Sequence, residues 1–120
     1  MNVVFFEVDG ILNFEGSDAK APDGSMGISE ARVKTFKKLL DSMSAKPVLY
    51  GPWKSDWDFH DEYCTAKGTY LNKKLNRRGI HILDKTKDAE TPEKEIEEWL
   101  QRHPNIEEHY TIWKGDMAGE

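Results

Sequence analysis

The strongest constraint on this chain's fold lies at its start. Val3-Val4-Phe5-Phe6 is a β-branched and aromatic run that leads directly into Glu7-Val8-Asp9-Gly10-Ile11-Leu12-Asn13. Such a run reads as a buried strand over residues 2–8. It delivers two carboxylates, two positions apart, to the strand's C-terminal end. Open α/β sheets bind their ligands at that edge.

The rest of the chain supplies the other parts of such a sheet. Residues 13–27 are rich in Gly, Ser, Asp, Ala and Pro and read as a long, flap-like loop. Ser29 is a good N-cap, and Val33, Phe36, Leu40 and Met43 recur at helical spacing behind it. Pro47 to Tyr50 predicts a second strand, which Gly51-Pro52 breaks. Ser55 and Asp58 predict a helix through Trp57, His60, Tyr63 and Cys64, interrupted at Gly68 and continued by Tyr70, Leu71 and Leu75 to Gly79. Ile80 to Leu83 reads as a third strand. Thr91-Pro92 opens another helix, with Ile96, Trp99 and Leu100 on its buried face. Tyr110 to Trp113 reads as a fourth strand. The order β-α-β-α-β-α-β predicts a single domain over 1–120, a three-layer α/β/α sandwich with a parallel sheet and no substantial cap.

Composition narrows the setting. A net charge of −5 and a mean hydropathy of −0.74 describe a modest core under a charged exterior. The two signs read as interspersed, so nucleic acid is not an expected partner, and the cluster Lys73-Lys74 with Arg77-Arg78 reads as a solvated helix face. One cysteine, Cys64, excludes an internal disulfide and suits a reducing compartment. The N-terminal apolar run is too short and too little flanked by basic residues for a signal peptide, and no segment approaches a membrane span. A cytoplasmic location is the expectation.

The ordered series of motifs resembles the haloacid dehalogenase (HAD) superfamily. Phe5 to Asn13 resembles its first motif, a hydrophobic strand followed by D-x-D-G-[VIT]-L-x. Gly51-Pro52-Trp53-Lys54 is similar to the S-S-x-W-R of small, cap-poor HAD domains, including those of RNA-repair proteins. Glu95 to Leu100 resembles their E-I-x-x-W-L helix, and Tyr110 to Trp113 their last strand. The resemblance implies a sheet order of 4-1-2-3 with the fourth strand at an edge, where it could pair with a second subunit. It also implies a phosphatase site acting on a phosphorylated small molecule or protein. RNA ends are a weaker analogy, against which the acidic charge stands. Asp9 would be the general acid–base, and Glu7 stands at the nucleophile's place. Gly10, Gly51 and Lys54 would contact phosphate, and Glu7, Asp9 and Asp116 would hold Mg²⁺.

The departures from that pattern set a second expectation. Glu7 replaces an aspartate, and its extra methylene moves the carboxylate by about 1.5 Å. A misplacement of about 1 Å costs on the order of a hundredfold in rate. Tyr50-Gly51 stand where a hydroxyl should meet phosphate, on a ring too large for that pocket in the case of Tyr50. Pro92 stands near a basic position, for which Lys85, Lys87 and Lys94 are each candidates. Lys114-Gly115 replace an acidic pair, leaving Asp116 shifted along the chain. Together these imply impaired turnover, with Lys114 substituting for the metal's charge beside Glu7 and Asp9. The alternative is a Mg²⁺-dependent phosphomonoesterase with atypical ligands. His60, Asp61, Glu62 and Cys64 read as helix packing, since no second pair completes a zinc site. Cys64 reads as a packed or half-buried thiol, and Trp53, Trp57 and Phe59 as mostly core.

Overall fold

The computed structural model describes residues 1–117, apart from the side chains at 114 and 115. Four parallel strands, β1 (Asn2–Phe6), β2 (Ala45–Leu49), β3 (Asp84–Lys85) and β4 (Glu108–Thr111), form one sheet in the order β3-β2-β1-β4. This is the order that the family resemblance implies, counted from the other edge. Asn2 lies opposite Ala45 on one side and Glu108 on the other, so β1 is central.

Three helices cover the two faces. α1 (Glu30–Met43) starts where Ser29 accepts a hydrogen bond from the Arg32 N–H, and it buries Val33, Phe36 and Leu40. Each of those side chains contributes on the order of 1.5–3 kcal/mol when fully buried. They pack with Val4, Phe6 and Leu49 and with Leu71 and Leu75 of α2 (Ala66–Asn76). α3 (Pro92–Arg102) covers the opposite face, where Ile96 and Trp99 meet Val3, Phe5, Val48 and Tyr50. Thr91 caps α3 and Pro92 opens it, as the sequence suggests. No helix among the described residues is long and apolar enough to cross a membrane.

Four local expectations need correction. The helix read from Ser55 onward begins only at Ala66. Before it lie two short 3-10 turns, Pro52–Ser55 and Asp61–Tyr63, and Thr65 is the true cap. Gly68 does not interrupt this helix. A Cβ there would stand 1.8 Å from the Asp56 carbonyl oxygen, so the glycine lets α2 pack directly on the preceding turn. The third strand begins at Asp84 rather than Ile80, because Ile80 closes α2 instead. Its N–H bonds the Leu75 carbonyl while the Gly79 N–H bonds that of Asn76, a Schellman termination. β4 lies two residues earlier than read, with Trp113 beyond it and exposed.

The charges are not interspersed either. α1, α2 and the turn through Arg78 carry nine lysines and arginines against two carboxylates, on one side of an acidic protein.

Candidate functional site

Asp9 lies just beyond the end of β1 and is exposed. Its Oδ1 accepts two hydrogen bonds, from Asn13 Nδ2 at 2.9 Å and from the indole N–H of Trp53 at 3.0 Å. Asn13 is fully buried and in turn accepts the Gly10 N–H at 2.8 Å. The Lys67 ammonium sits 4.2 Å from the centre of the buried Trp53 ring. The carboxylate is thereby aimed by two neighbours whose own positions are fixed by packing. It opens on a cavity of about 410 Å³ that Gly10, Phe14, Met26 and Arg32 also line. Arg32 reaches the carbonyl oxygens of Gly10 and Ile11, both at 3.4 Å, and lies 5.0 Å from the Phe14 ring centre.

Glu7 is half-buried and lies against Gly51 at the end of β2. Gly51 has φ 88° and ψ −172°, a backbone region that essentially only glycine occupies. A Cβ there would stand 3.0 Å from Glu7 Cβ and 3.1 Å from Glu7 Oε2. This backbone excludes a hydroxyl-bearing side chain at position 51. At position 50 the Tyr50 ring turns into the α3-side core. Burial, with the carboxylates of Glu7, Glu93 and Glu95 nearby, pushes its phenol up to about 12.

Lys54 is buried and faces away from Asp9's cavity. Its Nζ bonds Glu95 Oε1 at 2.7 Å and Asp88 Oδ1 at 2.8 Å. Thr86 donates to the same Glu95 oxygen at 2.9 Å. Burial disfavours the ammonium, but its bonds to Asp88 and Glu95 outweigh that and hold Lys54 above the usual lysine value. Lys54 lines a separate cavity of about 430 Å³ with Lys85, Lys87 and Asp88. Lys85 donates to the carbonyls of Lys54 and Trp57 at 2.9 and 2.6 Å, clasping the turn between them. Lys94 pairs with Glu90 at 2.8 Å.

The metal expectation finds no matching donor set. Asp116 Oδ2 accepts the N–H of Trp113 at 2.8 Å and Oδ1 accepts the Tyr110 hydroxyl at 3.4 Å, so this acid caps its own turn. Among the described residues no three of His, Cys, Asp and Glu converge on a point that could hold an ion. Glu7, Asp9 and Asp116 therefore do not form one ligand set. The Lys114 side chain lies outside the described residues. His60, Asp61 and Glu62 border a cavity of about 520 Å³ with no such convergence. Cys64 is half-buried and bonds the backbone of Asp58. Trp53 and Trp57 are core, while Phe59 is exposed.

A family model described as the HAD domain in Swiss Army Knife RNA repair proteins matches residues 3–115. The chain belongs to this family. No curated protein matches it. The motifs of this HAD domain are thus split in space. Asp9 and Gly10 share one cavity, Glu7 and Gly51 touch each other, and Lys54 belongs to another cavity.

The sequence reading missed four residues that build the site: Asn13, Arg32, Trp53 and Glu95. Asn13, Trp53 and Glu95 do fall inside the segments that carry the family resemblance, those similar to D-x-D-G-[VIT]-L-x, S-S-x-W-R and E-I-x-x-W-L. For Trp53 and Glu95, spacing along the chain gives no sign of the partners, which are 44 and 41 residues away.

Proposed function

We propose that this HAD-fold domain keeps the acid–base half of a phosphoryl-transfer site and has lost efficient turnover. It acts by holding a phosphorylated small molecule or a protein partner at the Asp9 cavity. One observation carries the reading. Asp116, the acid nearest to the missing pair after β4, is bonded to its own turn and is not directed at Glu7 or Asp9. Supporting it, Lys54 is bound by two carboxylates, and Gly51 leaves no room for a phosphate-binding hydroxyl. Among the described residues no three His, Cys, Asp or Glu ligands converge at this site, so no step is routed through a metal.

In this reading the positive charge of Lys114 replaces that of the ion. A cation there would offset two carboxylates that would otherwise repel each other at the end of β1. A Mg²⁺ titration followed by amide NMR tests this part. Flat Gly10 and Gly115 signals are the expected result, and shifts that saturate at micromolar Mg²⁺ contradict it.

The second reading is a phosphomonoester hydrolase with atypical ligands, in an intracellular setting. It is favoured by the Asp9 carboxylate, which is oriented by two donors and open to a cavity as an acid–base should be. Restoration separates the two readings. Glu7→Asp alone is expected to give no hydrolysis of an aryl phosphate, because several departures act together. Glu7→Asp with Lys114→Asp is the variant in which Mg²⁺-dependent release should first appear.

A further inference from the structure

The basic layer carries an inference independent of the Asp9 site. Glu30, in the first turn of α1, receives three cations from the end of α2: Lys74 at 3.0 Å, Arg78 at 3.6 Å and Arg77 at 3.8 Å. Lys37 continues the seam. Its ammonium lies 3.8 Å from where a Gly79 Cβ would stand, and it pairs with Asp41 at 3.0 Å. Lys34 falls on the same α1 stripe, one turn from each of Glu30 and Lys37. Lys34, Lys38, Lys73, Arg77 and Arg78 are all exposed. Three like-charge pairs stand at i,i+4, Lys34 with Lys38, Lys73 with Arg77 and Lys74 with Arg78, a spacing that destabilises a helix. Glu30 and Asp41, with Asp23 beside Lys67 at 3.6 Å, cannot neutralise this surface. The fold tolerates a repulsive arrangement that an anionic partner would relieve.

The chemistry of the face selects among anions. None of the exposed large apolar side chains lies on α1 or α2. The core of a protein interface is typically apolar, and an amphipathic helix that lies in a membrane inserts apolar side chains. A phosphodiester backbone needs neither, because its affinity comes from cations and released counterions. Arginine forks also match phosphate oxygens. We propose that the α1–α2 seam binds the backbone of a nucleic acid strand without reading its sequence. Arg32, two residues along α1 from Glu30, lines the Asp9 cavity.

The test is fluorescence anisotropy of labelled single strands, RNA and DNA of one mixed sequence, titrated with the full chain between about 50 and about 200 mM salt. Both strands should bind, with affinity falling steeply as salt rises. Arg77→Gln with Arg78→Gln should weaken binding and flatten the log–log salt slope by about 1.4, near 0.7 for each lost contact. Glu30→Gln should tighten binding. Lys46→Gln, on the α3 side of the sheet with Val48, should change nothing. If the arginine pair fails to fold by circular dichroism, Lys34→Gln with Lys73→Gln asks the same question. Absence of binding at the lowest salt overturns the proposal. So does wild-type affinity in the seam variants, or an acidic polypeptide or anionic vesicle binding as tightly as the strands.

Discussion

Asp9 and Lys54 occupy neighbouring motifs of one family, and this fold treats them in opposite ways. Asp9 is exposed, aimed by Trp53 and Asn13, and opens on a cavity. Lys54 is buried and bonded to Glu95 and Asp88, with Thr86 completing the network. One group is presented to whatever enters; the other has become part of the scaffold. Under the proposed function, the carboxylate at the acid–base position stays presented while the basic residue of the next motif is taken up in structure.

The largest effect should come from breaking the Lys54 network. Lys54→Met leaves the mostly buried Glu95 without its cation, and urea unfolding should report a loss of about 3–5 kcal/mol. Lys54→Met with Glu95→Leu should recover most of it, because an apolar pair of similar volume replaces a buried ion pair at little cost. A phosphate-binding lysine would give the reverse pattern, with little stability lost and all ligand affinity gone.

Gly51 comes next. Gly51→Ala forces a side chain into a glycine-only region and onto Glu7, at a cost of about 1–3 kcal/mol. Glu7→Asp should relieve only the crowding part, which a double-mutant cycle measures. On the Asp9 side, Trp53→Phe keeps an aromatic ring but removes the indole donor and part of the buried ring volume. The expected loss is about 2 kcal/mol or more, a hydrogen bond to a charged acceptor plus the cavity left behind.

The smallest effect is one of pH. Glu30 is held below the usual glutamate range, first by its hydrogen bond from Lys74 and then by the charges of Lys74, Arg78 and Arg77. Asp88 is likewise held down by Lys54. A depressed carboxylate stabilises the fold above its unfolded pKa, and that stability is lost as pH falls through the folded value. The denaturation midpoint should therefore fall below about pH 4.5, and Glu30→Gln should make that fall shallower.

Local signals made α1 and α3 legible in the sequence. Ser29, Thr91 and Pro92 cap them, and one apolar stripe each meets the sheet. The stretch from Ser55 to Cys64 misled because its helix signals were local while its structure is set at long range. Trp53 is tied to Asp9, and Trp57 donates to Asn72 of α2 at 2.7 Å. The third strand shifted because Ile80 serves the end of α2. At the site, residue types marked Glu7, Asp9 and Lys54, but the division between two cavities depends on Glu95 and Asp88. Charge misled in a similar way, since signs that alternate along the chain are sorted onto separate layers by folding.

The measurement that bears most directly on the central claim is phosphate release from an aryl phosphate, with and without Mg²⁺, by wild type and Asp9→Asn in parallel. The account predicts that the two proteins match and stay at the uncatalysed rate. Mg²⁺-dependent release by wild type that Asp9→Asn abolishes would contradict it.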